Sequence, residues 1–184
     1  TYQKIMRQAI AELRTEGLDV AGLTDEEAET VKNESYIDDS IIEIDMLAEL
    51  PDAYVRQPAE KLRLYRELDS IHREEDLVAF ESRLIDRFGA LPEAAVELLN
   101  VVRLRWEAVR LGMERVKVKN GLMIVHFVGE QNSPYYRSDV FMDMLRKITA
   151  QPDRFVLKQH NNRLAMTVRR VKNVAEAVAV LRTL

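Results

Sequence analysis

Apolar residues recur along this chain with two periods, and the change from one to the other falls at Gly112. Before it the spacing is helical except for one short alternating stretch. TYQKIMRQAIAELRTEG sets Ile5, Met6, Ala9, Ile10 and Leu13 on one stripe that ends at Gly17, the pattern of an amphipathic helix without an N-terminal cap. QPAEKLRLYRELDSIH has Pro58 suited to a first turn and Leu64, Tyr65, Leu68 and Ile71 along one side. EEDLVAFESRLIDRF repeats Leu77, Phe80, Leu84 and Phe88 and stops at Gly89. A helix from Pro92 to Leu111 follows, with Val96, Leu99, Val102, Trp106 and Val109 as its buried stripe. Leu84, Phe88, Val96 and Leu99 are thus expected to build a helical corner whose angle is set by Gly89 and Pro92.

The strand period appears in two places. SIIEIDMLAEL alternates Ile42, Ile44 and Met46 against Glu43 and Asp45, which predicts one half-buried strand. After Gly112, RVKVKNGLMIVHF alternates around Asn120 and Gly121, the pair best suited to a two-residue type I′ turn. SDVFMDMLRKITAQ returns to helix with Val140, Phe141, Met144, Leu145 and Ile148 inward. RFVLKQHNNRLAMTVRR reads as a second hairpin about Asn161 and Asn162. NVAEAVAVLRTL closes the chain, with Asn173 and Glu176 at capping-box spacing and Val174, Ala177, Val178 and Leu181 buried. The predicted class is α+β: a helical layer followed by two β-hairpins with interleaved helices, preceded by an isolated helix and an acidic linker.

Charge divides the chain further. Residues 1–15 carry +2, residues 16–45 carry −10, residues 46–100 carry −5 and residues 101–184 carry +9. LDVAGLTDEEAETVKNESYIDD is too acidic and too poor in large apolar residues to fold alone, and predicts a flexible linker. Three segments follow: 1–15 as a helix cut from a preceding module, 16–35 as linker, and 36–184 as the domain. No apolar run approaches the roughly 20 residues that span a bilayer. The absence of cysteine rules out disulfides, thiolate metal sites and cysteine nucleophiles, and fits a reducing compartment such as the cytoplasm.

Catalytic motifs are missing: no phosphate loop, no dinucleotide fingerprint, no HExxH and no GxSxG. His72, His126 and His160 fall in separate elements, whereas a metal site needs three or four convergent ligands. Carboxylates are abundant, and pairs such as Asp38 with Asp39 or Glu74 with Glu75 are candidates for a divalent cation or for acid and base chemistry, but adjacent residues on a helix point apart, which favours solvated faces. The methionines and Trp106 fit core positions. RVKVK at Arg115 to Lys119 and VRRVK at Val168 to Lys172 offer a basic surface for nucleic acid. The aromatic company is Phe127, Tyr135, Tyr136, Phe141 and Phe155, too few free rings for a stacking platform if most are core.

Three ordered motifs carry a resemblance. An L-x-x-Y-[KR] helix at Leu62 to Arg66, the turn LIDRFGALP at Leu84 to Pro92, and the long helix from Leu98 to Gly112 together resemble the C-terminal domain of the bacterial transcription-repair coupling factor family, Mfd, over residues 36 to 184. Tyr2 to Leu13 is similar to the last helix of the translocase module that precedes that domain. The resemblance implies a regulatory domain with no catalytic residue, cofactor or metal of its own, ATP being bound by upstream modules. In the family the full-length protein is an ATP-driven translocase on double-stranded DNA that displaces stalled RNA polymerase and recruits UvrA for nucleotide-excision repair. The C-terminal domain docks on the N-terminal UvrB-like module of the same chain and masks the UvrA-binding surface. It implies partner-binding roles for Asp86 and Arg87 in the R-F-G motif; Arg83 stands where an acidic residue is expected, and Glu81 is the nearby carboxylate that replaces it. An accessory nucleic-acid-binding domain using the basic half is the alternative.

Overall fold

A computed structural model describes residues 36–184; the isolated helix expected over 1–15 and the acidic linker over 16–35 lie outside the described residues. Strand β1 (Ile41–Ile44) is followed by three helices, α1 (Pro58–Asp69), α2 (Glu74–Phe88) and α3 (Glu93–Arg110). The hairpin β2 (Met113–Lys119) and β3 (Leu122–Phe127) comes next, then a short 3-10 turn (Pro134–Arg137) and α4 (Asp139–Thr149). A second hairpin, β4 (Phe155–His160) and β5 (Arg163–Arg169), leads to α5 (Val174–Arg182). The architecture is α+β, as the periodicities predict. The two hairpins join edge to edge into one five-stranded sheet of order β1-β2-β3-β5-β4, in which β1 runs parallel to β2 and every other pair is antiparallel.

Local chemistry sets the turns. Asn120 and Gly121 both take positive φ, 54° and 74°, and Asn161 and Asn162 take 49° and 62°, as type I′ turns require at their central positions. Helix α2 ends at Gly89, where φ is 91° and the backbone N–H donates to the Ile85 carbonyl at 2.9 Å. Pro92 sits at the cap just before α3 rather than inside its first turn, with extended backbone. Asn173 accepts the Glu176 N–H at 2.8 Å, and the Glu176 carboxylate accepts the Lys172 N–H at 2.7 Å, one residue ahead of the usual reciprocal bond. Ser138 caps α4 in the same manner by accepting from Phe141 N–H.

Two cores result. Leu50, Val55, Leu64, Leu68, Leu77, Phe80, Leu84, Ala95, Leu99 and Val102 fill the helical layer. Val116, Val118, Met123, Val125, Met166 and Val168 from one face of the sheet pack with residues of α4 and α5 in the other. Helix α3 belongs to both, contributing Ala95, Leu99 and Val102 at its start and Leu104 and Ala108 at its end. Four expected core positions are corrected: Val96 and Val140 are exposed, and Trp106 and Val109 are only half-buried. On α3 the inward positions are taken by the small residues Ala95 and Ala108, which let neighbouring elements approach closely and rotate the valine outward. Met46 lies just beyond β1 and packs against the sheet core from there.

Strand register defines the other face of the sheet. Ile41, Arg115, His126, Ala165 and Lys158 line up across the five strands, then Glu43, Lys117, Ile124, Thr167 and Val156, then Lys119, Leu122 and Arg169. None of these is buried, while Val116, Val118, Met123, Val125, Met166 and Val168 on the opposite face are, so this face is open.

Candidate docking surface

Glycine and tyrosine fix the corner that carries the expected contact residues. Tyr54, in the loop before α1, packs its ring 5.6 Å from Phe88, and its hydroxyl donates to the Gly89 carbonyl at 2.7 Å, with the Leu84 carbonyl 3.2 Å away. Burial pushes the Tyr54 hydroxyl above its ordinary range, so it remains a donor at neutral pH. The Tyr65 hydroxyl accepts the Leu50 N–H at 2.8 Å and ties the same loop to α1. Helix α2 is thereby held rigidly along its inward face.

Around α2 the side chains fall into three strips. Leu77, Phe80, Leu84 and Phe88 face the core. Arg83 and Arg87, one turn apart, lean toward α1: Arg83 pairs with Glu67 and Arg87 with Glu60. Each guanidinium also lies over a ring, Arg83 at 5.8 Å from the Phe80 centroid and Arg87 at 4.9 Å from that of Phe88. Glu60 accepts from Arg63 as well, and the hydrogen bonds from Arg63 and then Arg87 hold its carboxyl below the usual glutamate range. Arg87 is therefore engaged within the domain. The third strip is solvent-facing.

Glu81 is half-buried and Asp86 exposed, and neither makes an ion pair among the described residues. Five residues apart on a helix, they are separated by about 140° around its axis. Ile85, Val78 and Ser82 lie between them, and the two aliphatic side chains are 43% and 48% exposed. The surface is thus an apolar centre with a carboxylate on either side, on a helix whose opposite flank is cationic and internally paired. Reading α2 by its core stripe alone misses Val78 and Ile85; their signal is the second apolar pair at seven-residue spacing, each one position beyond a core leucine.

The remaining candidates are dispersed. Among the described residues no group of three or more His, Asp or Glu side chains is placed to hold a metal ion, and no helix is long and apolar enough to cross a membrane. Phe127, Tyr135, Phe141 and Phe155 are buried and Tyr136 is half-buried. The basic half therefore offers cations without exposed rings from this set to stack on bases.

The profile of the TRCF domain matches residues 44–138, which hold the whole helical layer and the first hairpin. The chain belongs to the TRCF domain family. Relatives include the transcription-repair-coupling factor of Rickettsia typhi, 29% identical over 185 residues that span all of this chain and 15% of that protein. The transcription-repair-coupling factor of Escherichia coli K12 is 36% identical over 76 residues, 41% of this chain and 7% of that protein. The chain thus spans a small part of the length of these relatives. In fold the TRCF domain resembles a crystal structure of the C-terminal domain of transcription-repair coupling factor, with a TM-score of 0.60 at 17% identity over 80% of this chain and 91% of that one. That likeness concerns the fold alone.

Proposed function

We propose that this TRCF domain is the regulatory, autoinhibitory element of a transcription-repair coupling factor and performs no catalysis itself. It docks through the outer strip of α2 on the N-terminal UvrB-like module of its own polypeptide and masks the UvrA-binding surface there. The observation that carries the reading is that strip: Val78 and Ile85 exposed between Glu81 and Asp86, with no partner inside the domain, in a chain of this family. An apolar patch flanked by carboxylates suits a partner with an apolar ridge and cations at matching positions, the charges setting register and the aliphatic contact supplying affinity. Docking within one polypeptide needs little intrinsic affinity, because a tether of some twenty residues keeps the effective concentration near the millimolar range. The full-length protein would supply ATP binding and double-stranded DNA translocation from its other modules, and displace RNA polymerase.

The test uses the full-length protein. Asp86→Arg and Ile85→Asp are both expected to raise basal ATPase activity and UvrA binding, since each removes a contact of the closed state without touching the core. Unchanged ATPase and UvrA binding in both variants would remove the proposal's support.

A further inference from the structure

Every arginine of α2 and α3 is ion-paired: Arg83 to Glu67, Arg87 to Glu60, Arg103 to Glu74, Arg105 to Asp69 and Arg110 to Glu107. At one end of the sheet the pattern reverses. The β2–β3 turn, the start of β4, the β5–α5 connection and α5 itself enclose a cleft of about 850 Å³, whose charged lining is Arg154, Arg170, Lys172 and Glu176. None of its three cations makes an ion pair among the described residues. Arg154 is half-buried, yet its one hydrogen bond there is a long one, from Nε to the Arg169 carbonyl at 3.4 Å. Glu176, the single carboxylate of the lining, already accepts the Lys172 backbone N–H at 2.7 Å.

The backbone singles out one of these cations. Among the described residues four that are not glycine have positive φ; three are the asparagines of the hairpin turns, and the fourth is Arg170, at 60°. The conformation serves the fold, because it turns the chain out of β5 so that Val171 enters the core and its N–H donates to the Gly121 carbonyl at 3.0 Å. Glycine or asparagine would make that turn with less strain. The turn therefore accounts for the backbone and leaves the arginine to be explained, and strain of this kind is characteristic of sites where a side chain must be presented to a ligand.

Three cations reaching one cleft from two segments exceed what a carboxylate needs, since a single guanidinium saturates its two oxygens in one plane. A phosphate monoester brings three terminal oxygens and about two charges at neutral pH. Ala179 and Val180 supply an apolar wall beside the cations, and the cleft is larger than a phosphate group alone would fill. We propose that this cleft binds a phosphate monoester, its phosphate between Arg154, Arg170 and Lys172 and its organic group against Ala179 and Val180. The site shares no residue with the outer strip of α2 and stands whether or not that docking occurs.

Phenyl phosphate titrated into the full 184-residue protein at a constant ionic strength of ~0.1 M should give saturable shifts of the Gly121, Gln151, Arg170 and Lys172 amides. Arg170→Asn removes the cation and keeps a residue suited to positive φ, so it should weaken binding about tenfold or more while the urea midpoint stays the same or rises. Arg154→Gln should weaken it similarly. Lys158→Gln, which removes an exposed cation of the same sheet outside the cleft, should leave the affinity within about twofold. Shifts that do not saturate, or binding that survives both arginine substitutions, overturn the proposal. An equal loss in Lys158→Gln also overturns it, because net charge alone would then be responsible. Acetate binding as tightly as phenyl phosphate would assign the cleft to a carboxylate instead, and equal binding of a thymidine dinucleotide with one internal phosphodiester would assign it to a nucleic-acid backbone.

Discussion

Alanine at Gly112 meets two obstacles, and a second glycine separates them. Gly112 and Gly121 have nearly the same backbone, with φ of 73° and 74°. A Cβ at Gly121 has open space around it, whereas one at Gly112 would stand 2.3 Å from Cε2 of Tyr135 and under 3 Å from two further ring atoms. Tyr135 has nowhere to go: it is fully buried, packed 5.3 Å from Phe141 and 5.1 Å from Tyr136, and its hydroxyl donates to the Leu111 carbonyl at 2.6 Å. Gly121→Ala should cost only the left-handed backbone penalty, about 1 kcal/mol. Gly112→Ala adds overpacking of about 1–3 kcal/mol and a lost buried hydrogen bond of about 1 kcal/mol, for a total of roughly 3–5 kcal/mol. Urea titration followed by far-UV circular dichroism reads both values. Adding Tyr135→Ala to each variant completes the test, since removing the ring should recover part of the loss at Gly112 and none at Gly121. Equal costs for the two alanines, or strict additivity with Tyr135→Ala, would refute the reasoning.

Neighbouring residues on α2 should respond oppositely: Leu84→Ala empties a core position and is expected to cost about 2–5 kcal/mol, while Ile85→Ser stays within about 0.5 kcal/mol by thermal or urea unfolding. Glu60 is held below the usual carboxylate range by Arg63 and Arg87, so its ion pairs stabilise the fold above that range and are lost as pH falls through the folded value. Glu60→Gln should accordingly flatten the acid limb of the stability profile below about pH 5 without changing the alkaline limb. Burial raises the Tyr135 hydroxyl far above its ordinary value, which makes its contribution complete below about pH 10 and progressively lost above it. Tyrosinate absorbance should therefore rise together with unfolding on the alkaline side, and Tyr135→Phe should move that transition to higher pH.

The helices were legible because their caps and stripes are local. Gly89, Gly112 and Asn173 end or begin elements by their own backbone preferences, and both asparagine turns announce the hairpins. The sheet that unites those hairpins depends on β3 meeting β5 across some forty residues, and the parallel pairing of β1 with β2 spans the whole helical layer. No local pattern encodes those partners. Hydrophobicity also misplaced the inner side of α3, since Ala95 and Ala108 hold positions where closeness matters more than apolar area, and Val96 turned outward. At the candidate surface the sequence marked Glu81, Asp86 and Arg87 through a family motif. It gave no sign that Arg83 and Arg87 would be held by Glu67 and Glu60, contacts that exist only once α1 and α2 are packed.

One helix passes through both cores, and this governs how the domain comes apart. The first half of α3 cannot lose its helical hydrogen bonds without exposing Leu99 and Val102, nor the second half without exposing Leu104 and Ala108. Opening either layer therefore frays the rod on which the other is built. The slowest amide protons of the chain are expected along the middle of α3, exchanging only through whole-domain opening. A nick in the loop after Gly89 or at the Asn120 turn should likewise leave two pieces that remain associated, and separating them should abolish the structure of both.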